Sequence, residues 1–120
     1  MGKTLRRLTE SAQERLLRES AEEHERRHPG QAVVAIQTCT PGEQVTVSGT
    51  IRKLDVRPEG QAPALEVELD DGTGHVFVVW LGRRRIPGLF EGRSLVVHGR
   101  LNCVTEHPTI YNPRYELLPS

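Results

Sequence analysis

Apolar and polar residues alternate along much of the chain beyond residue 40. In "PALEVELD" (63–70), Leu65, Val67 and Leu69 alternate with Glu66, Glu68 and Asp70. A period of two sends successive side chains to opposite faces, so this segment reads as a strand with its leucines and valine inward. "DGTG" (71–74) follows as a hairpin turn, because Asp-Gly tolerates the positive φ such turns need. Residues 75–81 then return as a second strand. Two further segments align without gaps: "GEQVTVSGTI" (42–51) and "GRSLVVHGRL" (92–101). Val45 matches Leu95, Val47 matches Val97 and Ile51 matches Leu101. Each has a glycine in mid-strand, Gly49 or Gly99, where glycine marks a bulge or a sharp bend. Residues 109–118, "TIYNPRYELL", supply a last strand with an edge or bulge at Pro113. Five short strands of this kind predict a small barrel: an all-β fold with an N-terminal α-helix.

The helix is predicted over residues 3–28. Leu5, Leu8, Ala12, Leu16, Leu17 and Ala21 form a thin apolar stripe, which holds only loosely to a core. Ser11 and Glu14 fit a capping box. Glu14–Arg18, Glu22–Arg26 and Glu23–Arg27 are i,i+4 pairs in the favourable order. His28-Pro29-Gly30 ends the helix. The chain therefore divides into a charged helix and linker, 1–30, and a barrel, 31–120. The helix packs on the barrel, pairs with a partner, or frays.

Composition narrows the chemistry. Sixteen basic residues balance sixteen acidic ones, so anion binding has to come from local clustering. Two cysteines make neither a disulfide framework nor a four-ligand zinc site. "MGKTLRRLTE" lacks the apolar segment of a signal peptide, and Arg6 stands where myristoylation needs Ser or Thr. The longest apolar run, Val76 to Leu81, is too short to span a bilayer. The expectation is a cytoplasmic protein.

"PGEQVTVSGTIRKL", "LEVELDDGTG", "VFVVWLG" and "TIYNPRYELL" together resemble an OB-fold of the anticodon-binding type. Relatives of that type include the wedge domain of the RecG helicase and the N-terminal domains of class II aminoacyl-tRNA synthetases. "NPRYELL" is similar to the close of the RecG wedge, with Arg114 where an acidic residue is usual. "LGRRRIPG" and "NPRYEL" most resemble small stand-alone OB proteins of actinobacteria. The resemblance spans roughly residues 35–118 and leaves out the helix. It implies a five-stranded Greek-key barrel. It also implies single-stranded nucleic acid on the face of strands 2 and 3, flanked by the 1–2 and 4–5 loops. No catalytic residue comes with it.

That face needs cations for phosphates and flat side chains for bases. With Val76, Val78 and Trp80 inward, as the family's third-strand pattern implies, His75, Phe77 and Val79 face out. Phe77 then stacks on bases or packs under the helix, and Trp80 belongs to the core. Tyr111 lies near the same cleft, while Tyr115 packs inward with Leu117. Arg52, Lys53 and Arg57 lead into the loop "RPEGQAP". Arg83, Arg84 and Arg85 follow strand 3, and Arg114 and Arg93 add to the count. Three successive arginines cannot all face one ligand. At most two, Arg83 and Arg85 or a pair presented by a turn, contact one backbone, unless the triplet only pairs with Glu59 or Glu91. Glu66 and Glu68 oppose phosphate binding, and aromatics are few, so binding is expected to be weak and salt-sensitive.

Other constellations carry less. His24 and His28 have zinc-binding spacing, but only glutamates offer a third ligand, so no metal is assigned. Cys39 and Cys103 come close if their strands neighbour one another as in an OB barrel, yet a cytosolic disulfide is not expected. Ser94 and His98 share a strand face without an acid or an oxyanion donor. Gly72-Thr73-Gly74 lacks a following helix, and Asp70-Asp71 lacks calcium-loop spacing. The expectation is a non-enzymatic module without cofactor that binds single-stranded or structured nucleic acid, DNA by kinship, in repair or recombination. Its rivals are a protein–protein adaptor using the barrel or helix, and an accessory domain for tRNA or other RNA.

Overall fold

A computed structural model describes residues 11–58, 60–103 and 107–119. Helix α1 (Ala12–Arg27) and a short 3-10 turn (Ile36–Thr38) precede six strands. These are β1 (Gln44–Val56), β2 (Ala64–Asp70), β3 (His75–Leu81), β4 (Ser94–Asn102), β5 (Thr109–Tyr111) and β6 (Arg114–Leu117). β1 pairs antiparallel with β2 and β4, β2 with β3, and β4 with β5. A parallel β3–β5 pairing closes the ring of five. β6 continues along β4 after a break at Asn112-Pro113, so the predicted last strand is split by a bulge.

The two mid-strand glycines have separate reasons. β1 leaves β4 for β2 at Thr50, which pairs with Ser94 on one side and Asp70 on the other. A Cβ on the preceding Gly49 would stand 2.7 Å from the Asp70 carbonyl oxygen. On β4, a Cβ on Gly99 would stand 2.8 Å from Ile110 Cγ2 and 3.3 Å from Pro113 Cβ. The first glycine lets one strand bend between two partners, and the second makes room for the bulge.

Inward residues of all five ring strands, among them Val47, Ile51, Leu69, Val78, Leu95 and Ile110, fill one core. Each such side chain stabilises the fold by about 1.5–3 kcal/mol. Trp80 joins them at 5% exposure, as expected. Tyr115 does not pack inward: it meets Trp80 edge-on at 5.6 Å but stays 40% exposed at the rim.

α1 lies over the outer face of β1, β4 and β6. Ser11 caps it by accepting a hydrogen bond from the Glu14 amide at 3.0 Å. Gln13 Nε2 donates to Thr50 Oγ1 and Ser94 Oγ, and Arg27 pairs with Glu116. Val96, Thr46 and Ser48 are buried on that face, a burial the alternation did not predict. Leu16, Leu17 and Ala21 are half-buried, in keeping with the thin stripe. Glu23–Arg27 forms at 3.5 Å, and Arg26 also meets Glu23 at 2.8 Å. The predicted residues 3–10 of the helix, with Leu5 and Leu8, lie outside the described residues. No helix among the described residues is long and apolar enough to cross a membrane.

Candidate nucleic-acid interface

With α1 on β1, β4 and β6, the outer face of β2 and β3 is left uncovered by the helix. Alternation along β3 turns His75, Phe77, Val79 and Leu81 outward, because Val76, Val78 and Trp80 belong to the core. Phe77 is half-buried by its strand neighbours rather than by α1. His75 meets its ring edge-on at 5.9 Å and His107 at 5.3 Å. The Phe77 amide donates to the Pro108 carbonyl at 2.9 Å, which ties the segment before β5 to β3. Val79 pairs with Tyr111, which is 47% exposed. Asn112, in the left-handed region at φ 49°, accepts the Leu81 amide at 2.8 Å through its side chain. Leu81 ends the row 48% exposed. The result is an aromatic and apolar strip along β3 and β5, interrupted at Val79, which is outward but buried at 6% exposure.

Acids border the strip. Glu68 stands opposite Phe77, Glu66 opposite Val79 and Asp70 opposite His75. Arg52 and Lys53 lie beyond them. The sequence pattern led these two into a loop, but β1 runs on to Val56 through a bulge between Ile51 and Lys53 and pairs with β2. Arg52 reaches Asp70 at 3.8 Å and Lys53 reaches Asp55 at 3.8 Å. Such exposed pairs contribute about 0–1 kcal/mol, so a phosphate can displace them at little cost.

The arginine triplet divides. Arg84 donates through Nη1 to the Arg57 carbonyl at 3.1 Å and through Nη2 to the Gln61 carbonyl at 3.2 Å. It therefore ties the 82–93 connection to the 57–63 loop. Arg57 itself donates to the Ala62 carbonyl at 3.4 Å. Arg83 and Arg85 are exposed, with no hydrogen bond or ion pair among the described residues, Glu91 included. Glu59 lies outside the described residues. Arg57 and Arg83–Arg85 gather at the rim where the strip ends at Leu81, since the Gly82 amide donates to the Pro63 carbonyl at 2.8 Å.

Arg114 is not part of this group. It pairs with His98 on the α1-covered face and shares a cavity with His24 and His98. Its strand alternates after the Pro113 bulge, which turns Arg114 away from the cleft that Tyr111 faces. Arg93 is also engaged elsewhere: it donates to the Leu118 carbonyl at 3.2 Å and lies 5.7 Å from the Phe90 ring centroid. The cations thus form a rim cluster and a β1 pair rather than one continuous stripe. His107 and Leu81 were missed in the sequence. A hydrophobic pattern does not report the parallel β3–β5 pairing that brings His107 to Phe77.

The polar groups away from this face have defined surroundings. His98 Nδ1 and Thr46 Oγ1 share a hydrogen bond at 2.5 Å, and Ser94 bonds Thr50 at 3.0 Å. Burial, with the charges of Arg114 and His24, holds the His98 pKa below its ordinary value. Burial would raise the Glu116 pKa, but hydrogen bonds from Arg27 and His24 outweigh it and hold the carboxyl below the usual range. Cys39 and Cys103 are free thiols lining one apolar mouth of the barrel. Burial, with Glu43 and Asp71, pushes the Cys39 thiol up. The glutamate that meets His24 and His28 is Glu116 of β6, far from them in sequence.

No protein-family model and no curated protein matches the chain. Solved structures do. RecG bound to a three-way DNA junction superposes with a TM-score of 0.59 at 23% identity, over 75% of this chain and 13% of that one. Asparaginyl-tRNA synthetase of Entamoeba histolytica gives 0.61 at 18% identity, over 77% and 24%. An OB domain from Methanosarcina mazei gives 0.57 at 14% identity, over 73% and 84%. The fold is thus OB-like, and the chain spans only a small part of the RecG and synthetase chains. Identities this low speak for the fold alone.

Proposed function

We propose that this chain is a non-enzymatic OB module that binds single-stranded nucleic acid, DNA in preference, across the outer face of β2 and β3. The observation that carries the reading is Phe77, its ring steadied edge-on by His75 and His107 on the outer face of β3. Tyr111 stands farther along the strip, opposite Val79, and the exposed Arg83 and Arg85 stand at the end of the strip. Base–aromatic stacking contributes about 1–3 kcal/mol per base and is tolerant of sequence. Seven residues of β3 at about 3.3 Å each give a track of about 23 Å, room for a few nucleotides. RecG in its DNA-bound form supports the analogy, as does the likeness of "NPRYELL" to the RecG wedge. On that analogy the module acts in DNA repair or recombination. The pieces "LGRRRIPG" and "NPRYEL" further align it with small stand-alone OB proteins of actinobacteria.

Fluorescence anisotropy with labelled single-stranded DNA, duplex DNA and RNA, at low and physiological salt, tests the reading. Salt-sensitive binding that favours single-stranded DNA and weakens in Phe77→Ala and in Arg83→Glu/Arg85→Glu supports it. A preference for RNA moves the module to a tRNA or RNA accessory role. Absence of binding at low salt refutes the proposal in favour of a protein-binding adaptor.

A further inference from the structure

His24 lies in the last turn of α1 and His28 caps the helix end, its amide donating to the His24 carbonyl at 2.8 Å, and β6 brings Glu116 to them. One donor atom from each residue lies within 4.8 Å of the other two. His24 is 5% exposed. Its Nδ1 is 3.2 Å from Glu116 Oε2, and its Nε2 is 3.2 Å from Gln31 Oε1. The two imidazoles stand 4.6 Å apart, tilted by 32°. They border a cavity of about 170 Å³ together with Gln31, His98 and Arg114.

We propose that His24, His28 and Glu116 form a binding site for a first-row divalent metal ion, zinc foremost, which staples the C-terminal end of α1 to β6. The imidazoles of the last-turn His24 and the capping His28 lie close enough to face one ion, and a carboxylate completes a nitrogen–oxygen set that suits zinc. Donors of a tetrahedral zinc site, each about 2.0–2.1 Å from the metal, lie about 3.3 Å from one another. His24 and Glu116 already have that spacing. His28, exposed at the helix end, has only to swing inward. With Nδ1 on the metal, the Nε2–H of His24 donates to Gln31 Oε1, and such an outer carbonyl orients a ligating imidazole and raises its basicity. Arg27 engages Oε1 of Glu116 and leaves Oε2 for the ion. A water fills the fourth position. Three protein ligands, beside the cations of Arg27 and Arg114, make the site weaker than a closed four-ligand one.

The test uses the full chain, freed of metal, titrated with Co2+ alone and then with Zn2+. The expected result is one Co2+ per chain with visible d–d bands and no sulfur-to-cobalt charge-transfer band. Zn2+ displaces the Co2+ and raises the Tm. His28→Ala, a change at an exposed residue, leaves the metal-free Tm in place and weakens binding at least tenfold; Glu116→Gln weakens binding at least tenfold as well, and also lowers the metal-free Tm by loosening the contacts to Arg27 and His24. A Cys39→Ser/Cys103→Ser chain binds like the parent. Thiolate bands, a Zn2+-dependent Tm rise that survives in His28→Ala, or no uptake at about 100 µM metal, a concentration on the order of a weak site's Kd, would each overturn the proposal.

Discussion

A methyl group on Gly99 would press on Ile110 Cγ2 and Pro113, and one on Gly49 on the backbone of Asp70. Side chains can yield by rotation, whereas a carbonyl fixed in a β-ladder cannot. Gly99→Ala is therefore expected to cost about 1–3 kcal/mol, the usual penalty of overpacking, and Gly49→Ala more than Gly99→Ala. Urea unfolding of the two variants measures both. His98 offers a second residue-level check. Its folded pKa lies below the ordinary 6.5 because of burial, then Arg114, then His24. The unfolded chain thus takes up the proton first as pH falls. This contribution is intact above about pH 6.5 and is lost as pH drops through the folded value. An NMR titration of the metal-free protein should show His98 titrating below 6.5, and Arg114→Gln should move it part of the way back. At this scale the glycines were legible, because a glycine that interrupts an alternating pattern marks a bend or a crowded approach. The meeting of His24 with Glu116 was not, because 92 residues separate them and only the closed barrel brings them together.

At the scale of elements, alternation marked β2 and β3 plainly, and the Asp-Gly turn joined them. β1 was read too short, since Arg52, Lys53 and Asp55 break the apolar rhythm where the strand bulges and leaves the β4 ladder. The connections carry the next prediction. Arg84 holds the 57–63 loop through two carbonyls, a contact that Arg83 and Arg85 do not share. Arg84→Ala should speed amide hydrogen exchange across residues 57–63, and Arg83→Ala/Arg85→Ala should leave that exchange unchanged. The double variant should instead lower the number of counterions released on binding by about two, one for each lost phosphate contact.

The whole molecule is neutral, yet its faces differ. α1 closes the side formed by β1, β4 and β6, and the β2–β3 side keeps its aromatic strip beside an arginine-bearing rim. With about two to four phosphates engaged, log K for single strands should fall against log salt with a slope of about −1.4 to −2.8. A much steeper slope would require cations from beyond this face. The architecture was legible from residues 42–118 alone. The side taken by the helix was not, because its thin stripe fits several surfaces equally well.

The most direct test of the account is the map of backbone amide shifts as an unlabelled single-stranded oligonucleotide is added to the 15N-labelled chain at low salt. Shifts concentrated at 75–81, 107–111, 57–63 and 83–85, and needing more oligonucleotide to reach in Phe77→Ala, are the predicted result. Shifts confined to α1, β4 and β6, or a spectrum that does not change, would contradict it.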